Sequence, residues 1–117
     1  MQVGSKGLLQ LNLVIPQSTS IAFKVVVKDE ETGEVIDYSG ATPRMTIKPE
    51  TGSPIVLDDC CSVSAEEISV FLPATKTATL PIGKHPWDLM MEVSSLQVDR
   101  ICYGTANVVD TYAMDGE

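Results

Sequence analysis

The sequence has one histidine, His85, and only 5% aromatic residues. With a single imidazole, a Ser-His-Asp or Cys-His constellation has just one candidate base, and Pro86 beside it marks a loop. His85 therefore reads as an ordinary exposed histidine, and the chain is expected not to be an enzyme. Gly-rich phosphate loops are absent. Basic residues are scarce: eight Lys and Arg face 16 Asp and Glu, a formal net charge of −8, which argues against a surface that tracks nucleic-acid phosphates. No apolar run approaches the ~18 residues of a membrane span, and no charged-then-apolar leader ends in a small-residue cleavage site. A soluble product made in the cytoplasm, with no membrane partner, is expected.

Metal-binding patterns are missing as well. Cys60, Cys61 and Cys102 are odd in number and lack the C-x-x-C spacing that brings two thiolates to one zinc, so reduced thiols acting as small core residues are expected. The Asp29-Glu30-Glu31-Thr32-Gly33-Glu34 segment offers oxygen ligands and a glycine, without the twelve-residue spacing of a calcium loop. Asp58-Asp59 and Glu66-Glu67 are adjacent pairs, and adjacent side chains on a strand diverge, so solvated carboxylates are the reading rather than an acid–base pair. No metal or other cofactor is expected.

What is present is an alternating hydrophobic pattern in a chain of 117 residues, 44% hydrophobic and 21% charged, the size and balance of one globular domain. The period is two nearly everywhere, the mark of half-buried strands. Leu9, Leu11, Leu13 and Ile15 alternate with Gln10, Asn12 and Val14 before Pro16. Ile21, Phe23, Val25 and Val27 form one face of a second strand, with Ala22, Lys24, Val26 and Lys28 on the other. The acidic-Gly segment from Asp29 to Glu34 reads as a tight reversal. Val35 to Tyr38 resume an extended course. Pro43, Met45 and Ile47 alternate with Arg44, Thr46 and Lys48, in a strand that begins near Pro43 or lies at an edge.

Ile55–Leu57 and Ser62–Val63 are short pieces, and Ile68, Val70 and Leu72 make a firmer strand. Between Pro73 and Pro81 one or two helical turns fit. Trp87, Leu89, Met91 and Val93 face one way, opposite Asp88, Met90 and Glu92. After a reversal at Ser94 to Gln97, Arg100 to Val109 form the last strand, in which Gly104 signals a bulge or a close backbone approach. About seven short strands with at most one helical turn predict an all-β fold, an antiparallel β-sandwich.

The order of the motifs adds a family likeness. A strand, an acidic-Gly hairpin, "IDYSGATPRMTIKP", a Gly/Pro turn, "ISVFLPATKTATLPIGKHPWDLMMEV" and "VDRICYGTANVV" follow one another. Residues 20–110 thereby resemble a group of small tailed-bacteriophage proteins, and the N-terminal domains of phage baseplate and tail proteins, built on an immunoglobulin-like β-sandwich. Ile36, Asp37, Gly40, Ala41, Arg44 and Ile47 match one family pattern. Leu72, Ala74, Thr77, Ala78, Leu80, Gly83, Trp87, Asp88 and Leu89 match a second, and Arg100, Ile101, Gly104, Ala106 and Val108 a third. His85-Pro86 departs from the aromatic-rich start usual for the Trp87 strand, and residues 1–19 have no counterpart.

The resemblance implies an immunoglobulin-like sandwich over residues 20–110. Ala74 to Leu80 would cross from one sheet to the other, Trp87 would fill the centre, and Asp88 would face outward beside the link. Residues 1–19 then read as an N-terminal strand or arm for subunit contacts, and residues 111–117 as a flexible tail. Deleting residues 1–16 is expected to break an assembly while leaving the sandwich folded.

The candidate contact residues are Leu9, Leu11 and Leu13 on the arm, with Val14, Val26 and Met90 on faces assigned outward. Apolar residues on both faces imply burial by another subunit, or a strand buried on both sides within one domain. The functional expectation is a structural component of a tailed-phage virion, at tail, neck or head surface. It would be made in the host cytoplasm and act through multivalent contacts with other virion proteins and with further copies of itself as a homo-oligomer. The alternative is a receptor- or carbohydrate-binding module at a tail fibre or tip, resting on Tyr38, Tyr103 and Tyr112.

Overall fold

Side chains that alternate in polarity need a second apolar layer to cover one face, and here two sheets supply it to each other. The computed structural model describes residues 2–4, 9–29 and 31–110. Seven strands carry the sandwich: β4 (Ile21–Lys28), β5 (Thr42–Ile47), β6 (Ile55–Val56), β7 (Cys61–Val63), β8 (Ile68–Leu72), β9 (Gly83–Ser94) and β10 (Gln97–Val109). Three short segments precede them, β1 (Gln2–Gly4), β2 (Leu9–Gln10) and β3 (Leu13–Pro16). One sheet has the order β1-β4-β8-β7, and the other runs β2-β10-β9-β5-β6 with β3 also on β10. The four central pairings β4–β8, β7–β8, β5–β9 and β9–β10 are antiparallel. This is an all-β sandwich in which β4, β8 and β7 take the places of strands B, E and D of an immunoglobulin domain, and β5, β9 and β10 those of C, F and G.

The predicted rows point inward. Val25 and Val27 on β4, Met45 and Ile47 on β5, Ile68, Val70 and Leu72 on β8, and Trp87, Leu89 and Met91 on β9 are all buried, with Ile21 and Phe23 packed against them. Phe23 meets Trp87 edge-on, with ring centroids 6.1 Å apart at 74°. The contact joins the B-like and F-like strands, the pair of strands that antibody domains join by a disulfide, and edge-to-face rings add roughly 1 kcal/mol beyond their buried area. As predicted, one helical turn, α1 (Ala74–Thr77), links β8 of one sheet to β9 of the other. The Thr77 hydroxyl donates to the Thr19 carbonyl at 2.9 Å and tethers the turn to the β3–β4 connection.

Several expectations change. His85 is no loop residue: β9 begins at Gly83, and the imidazole is buried at 7% exposure with Nε2 2.9 Å from the Pro81 carbonyl. The row through Trp87 and Leu89 extends one step further toward the N-terminus than the Pro in its path implied. Val93 is half-exposed rather than in the core row. The β9–β10 register shifts between Gln97 and Val98, and this irregularity leaves Val93 without an opposite residue. Val35 to Tyr38 hold only a single bridge, Lys28 to Val35, because the chain there turns back toward β5.

Gly104 marks a close approach and the bulge lies before it. A second register shift, between Arg100 and Cys102, lets Ile101 and Cys102 both face the core. The three thiols are free: Cys102 is buried, while Cys60, which closes a 3-10 turn over Asp58–Cys60, and Cys61 are half-buried. Burial raises the Cys61 and Cys102 thiols to about 12.

Candidate functional site

Residues 9–17 are built into the domain rather than laid on it. β2 and β3 run parallel to β10, Leu9 beside Cys102 and Leu13 to Pro16 beside Ala106 to Val109. Between them the chain bulges, and Leu11 N–H donates to the Tyr103 carbonyl at 2.8 Å. The Leu11 carbonyl turns inward and accepts the Trp87 indole N–H at 2.8 Å. Asn12 supplies its side-chain oxygen to Thr105 N–H at 3.1 Å, replacing the backbone acceptor that the bulge removes. A Cβ at Gly104 would collide with the Leu11 carbonyl oxygen and lie 2.7 Å from its carbon, so only glycine admits this crossing.

The candidate contact residues consequently part company. Leu13 is in the core and Leu11 packs against it. Val14 is 54% exposed on the outer face of the larger sheet, in register with Asn107. Met90 is half-buried on that same outer face, between Arg44 and Arg100 by register. Val26 lies on the outer face of the other sheet, half-buried, beside Gln2 of β1. The structure brings no two of these outward residues together. Leu9 pairs through its backbone only, and its side chain lies outside the described residues, as do residues 111–117 and Tyr112.

A different surface gathers instead at the end of the sandwich where the β4–β5 connection meets the β9–β10 hairpin. In antibody variable domains the B–C and F–G loops at this end form the binding site. Here they flank an open cleft of about 330 Å³ lined by Ile36 to Ala41 on one side and by Val93, Gln97 and Asp99 on the other. Tyr38, buried at 7% exposure, anchors its floor and donates its hydroxyl to Asp99 Oδ2 at 2.8 Å. Burial, reinforced by the Asp99 carboxylate, pushes the phenol well above its ordinary range, so it stays a donor. The Tyr38 carbonyl accepts Ala41 N–H at 2.9 Å across a turn in which Gly40 takes a φ of 89°, the third-residue conformation that favours glycine. Ser39 hydrogen-bonds hold the Asp37 carboxyl below its usual range, leaving it an exposed anion.

Beyond the cleft the hairpin projects past β5, whose pairing with β9 stops at Thr42 and Glu92. Leu96 at its apex is 97% exposed, flanked by Val93 at 44% and Val98 at 50%. In the reversal that precedes the 36–41 side of the cleft, Asp29 Oδ1 accepts the N–H groups of Glu31 at 2.8 Å and Thr32 at 3.2 Å, and Gly33 takes a φ of 73°. This surface was missed in the sequence because Ser94 to Gln97 read only as a reversal. The available signal was Leu96, a large apolar residue in a turn where polar ones belong.

Among the described residues, no group of three or more His, Cys, Asp or Glu side chains is placed to hold a metal ion. No helix among them is long and apolar enough to cross a membrane.

No protein-family model matches the chain, and no curated protein matches it by sequence. Solved structures do resemble it in fold. The N-terminal domain of phage TP901-1 ORF48 overlays with a TM-score of 0.52 at 11% identity, covering 92% of this chain and 93% of its own. The endo-β-1,4-mannanase from Thermotoga petrophila overlays with a TM-score of 0.47 at 16% identity, over 85% of this chain but 18% of the enzyme.

Proposed function

We propose that this chain is a non-enzymatic structural protein of a tailed-phage virion, a tail, neck or head-surface component that works through repeated protein–protein contacts. The observation that carries this reading is the Leu96 hairpin: three apolar side chains held in water beside a preformed cleft, at the end where immunoglobulin-type sandwiches bind. The fold shared with a phage N-terminal domain over nearly the whole of both chains supports the virion context. The motif order along residues 20–110 supports it independently. A contact surface this small gains strength by repetition, and a symmetric particle provides it.

The carbohydrate-binding alternative draws less support, since Tyr38 is buried under the cleft and Tyr103 is covered by the Arg100 guanidinium 5.1 Å from its ring centre.

The test is location. Particles purified from cells that make the chain are analysed by mass spectrometry and labelled with an antibody against it. Labelling at fixed, symmetric positions is expected. A chain left entirely in the soluble fraction, or one retained on a glycan surface and absent from particles, overturns the reading.

A further inference from the structure

β3 ends in the larger sheet at Pro16, and β4 starts in the smaller one at Ile21. The connection between them, Gln17-Ser18-Thr19-Ser20, carries no charge. Its first and third residues are pinned. Gln17 N–H donates to the Val109 carbonyl at 2.9 Å, and its side-chain Nε2 donates to the Leu80 carbonyl at 2.7 Å. Thr19 gives its N–H to Thr77 Oγ1 at 3.1 Å, and its carbonyl accepts from the same hydroxyl at 2.9 Å. Ser18 between them turns the chain with a φ of 61°, whereas every other described residue at positive φ is glycine. A serine bent this way is strained, and an extended one is not.

We infer that β1 to β3 exchange between two copies of this chain, each copy's Leu13 and Ile15 filling the interior of the other, with Ser18 as the pivot. The inference goes beyond the structural-protein reading and stands whether or not the chain occurs in particles. Exchange preserves the bonds that hold the leading strand: Trp87 N–H to the Leu11 carbonyl, Thr105 N–H to Asn12 and Leu11 N–H to the Tyr103 carbonyl all form again between copies. Gln17 travels with the strand, and Thr19 stays behind.

Only the pivot differs, bent in the single chain and extended in the exchanged pair, so hinge strain works against the entropy lost on pairing. Since the contacts between copies repeat those within one chain, the pair needs no further charge match or apolar patch. Ile15 is fully buried and Leu13 is 8% exposed, so the strand leaves only when the sandwich opens. Exchange is therefore slow, and pairs once formed persist after dilution.

The full chain is refolded from urea at rising concentration and sized by sedimentation velocity. The wild type is expected to give a two-copy species that grows with concentration and survives dilution. Ser18→Gly, which accepts the bend without strain, should lower the pairing constant about 25-fold, roughly fivefold for each of the two pivots. Ser18→Pro, whose ring forbids a positive φ, should pair throughout. Exchange itself is read by a cross-link, because Val14 and Asn107 lie in register on neighbouring strands of the larger sheet. V14C and N107C chains, refolded together and oxidised with glutathione disulfide, should form a disulfide-linked pair on a non-reducing gel that neither forms alone.

A cross-link no stronger than that of either variant alone overturns the inference, whatever the sizes observed. So does a pairing constant unchanged by Ser18→Gly, or a folded Ser18→Pro chain that stays single. The cross-link and the glycine variant decide the matter even where proline impairs folding. Labelling of particles is a separate readout, so the virion reading can fail while exchange holds, and exchange can fail while that reading holds.

Discussion

The indole N–H of Trp87 donates to the carbonyl oxygen of Leu11 at 2.8 Å, across 76 residues of chain. One bond thus ties the centre of the sandwich to the leading strand, and several consequences of that tie can be measured.

Trp87→Phe keeps most of the ring against Phe23 and leaves the Leu11 carbonyl without its donor. A loss of about 1–3 kcal/mol is expected from the unsatisfied acceptor and the smaller side chain, read as a lower urea midpoint. Hydrogen exchange should quicken in residues 11–16 more than in β8. Uniform exchange in both places would contradict the latch.

Gly104→Ala should destabilise by about 1–3 kcal/mol, because its methyl group meets the Leu11 backbone rather than a movable side chain. The effect is one of space alone. Combining G104A with deletion of residues 1–12 should give less than the sum of the two losses; a full sum would argue against the contact.

Removing residues 1–16 takes away Leu13 and Ile15, 8% and 0% exposed in the core. The sequence pattern alone predicts a folded sandwich without this arm; the structure predicts an opened interior that loses several kcal/mol. The shortened chain should be largely unfolded or aggregated by circular dichroism and sedimentation. A cooperative melt at the wild-type midpoint would show that the domain stands without the strand.

Alkaline pH should destabilise the fold. Cys102 has its thiol raised from 9.0 to about 12, by burial first and by the Asp88 carboxylate second. Unfolded thiols ionise from about pH 9 while the folded one keeps its proton, so stability is complete below that pH and falls as pH climbs toward 12. The slope from Cys102 reaches at most about 1.4 kcal/mol per pH unit. Cys61 and Tyr38, raised in the same direction, add to it. Urea midpoints at about pH 8 and about pH 10.5 should diverge less in Cys102→Ala than in the wild type. Equal divergence would rule out the assigned thiol.

Much of the sandwich was legible residue by residue. Phe23, Val25 and Val27, or Ile68, Val70 and Leu72, declare an inward face because successive side chains on a strand point to opposite sides. Pro73 and Pro81 bracket the α-helical turn Ala74–Thr77 for equally local reasons. The contact surface was not legible in this way. Val14, Val26 and Met90 are outward apolar residues, as their alternation requires, yet they lie on separate parts of two faces. Val93 and Tyr38 meet around one cleft only because two loops distant in sequence converge at the same end.

By itself the sequence determined the sheet-forming period and the places where strands reverse, properties set by neighbours along the chain. The tertiary structure alone decided that the leading strand pairs in parallel with β10, that His85 turns inward, that a bulge brings Ile101 and Cys102 to one side, and that Gly104 lies under Leu11. The reason is physical: alternation says that a strand has two different faces, but which edge it pairs with and where its register slips depend on contacts between residues tens of positions apart.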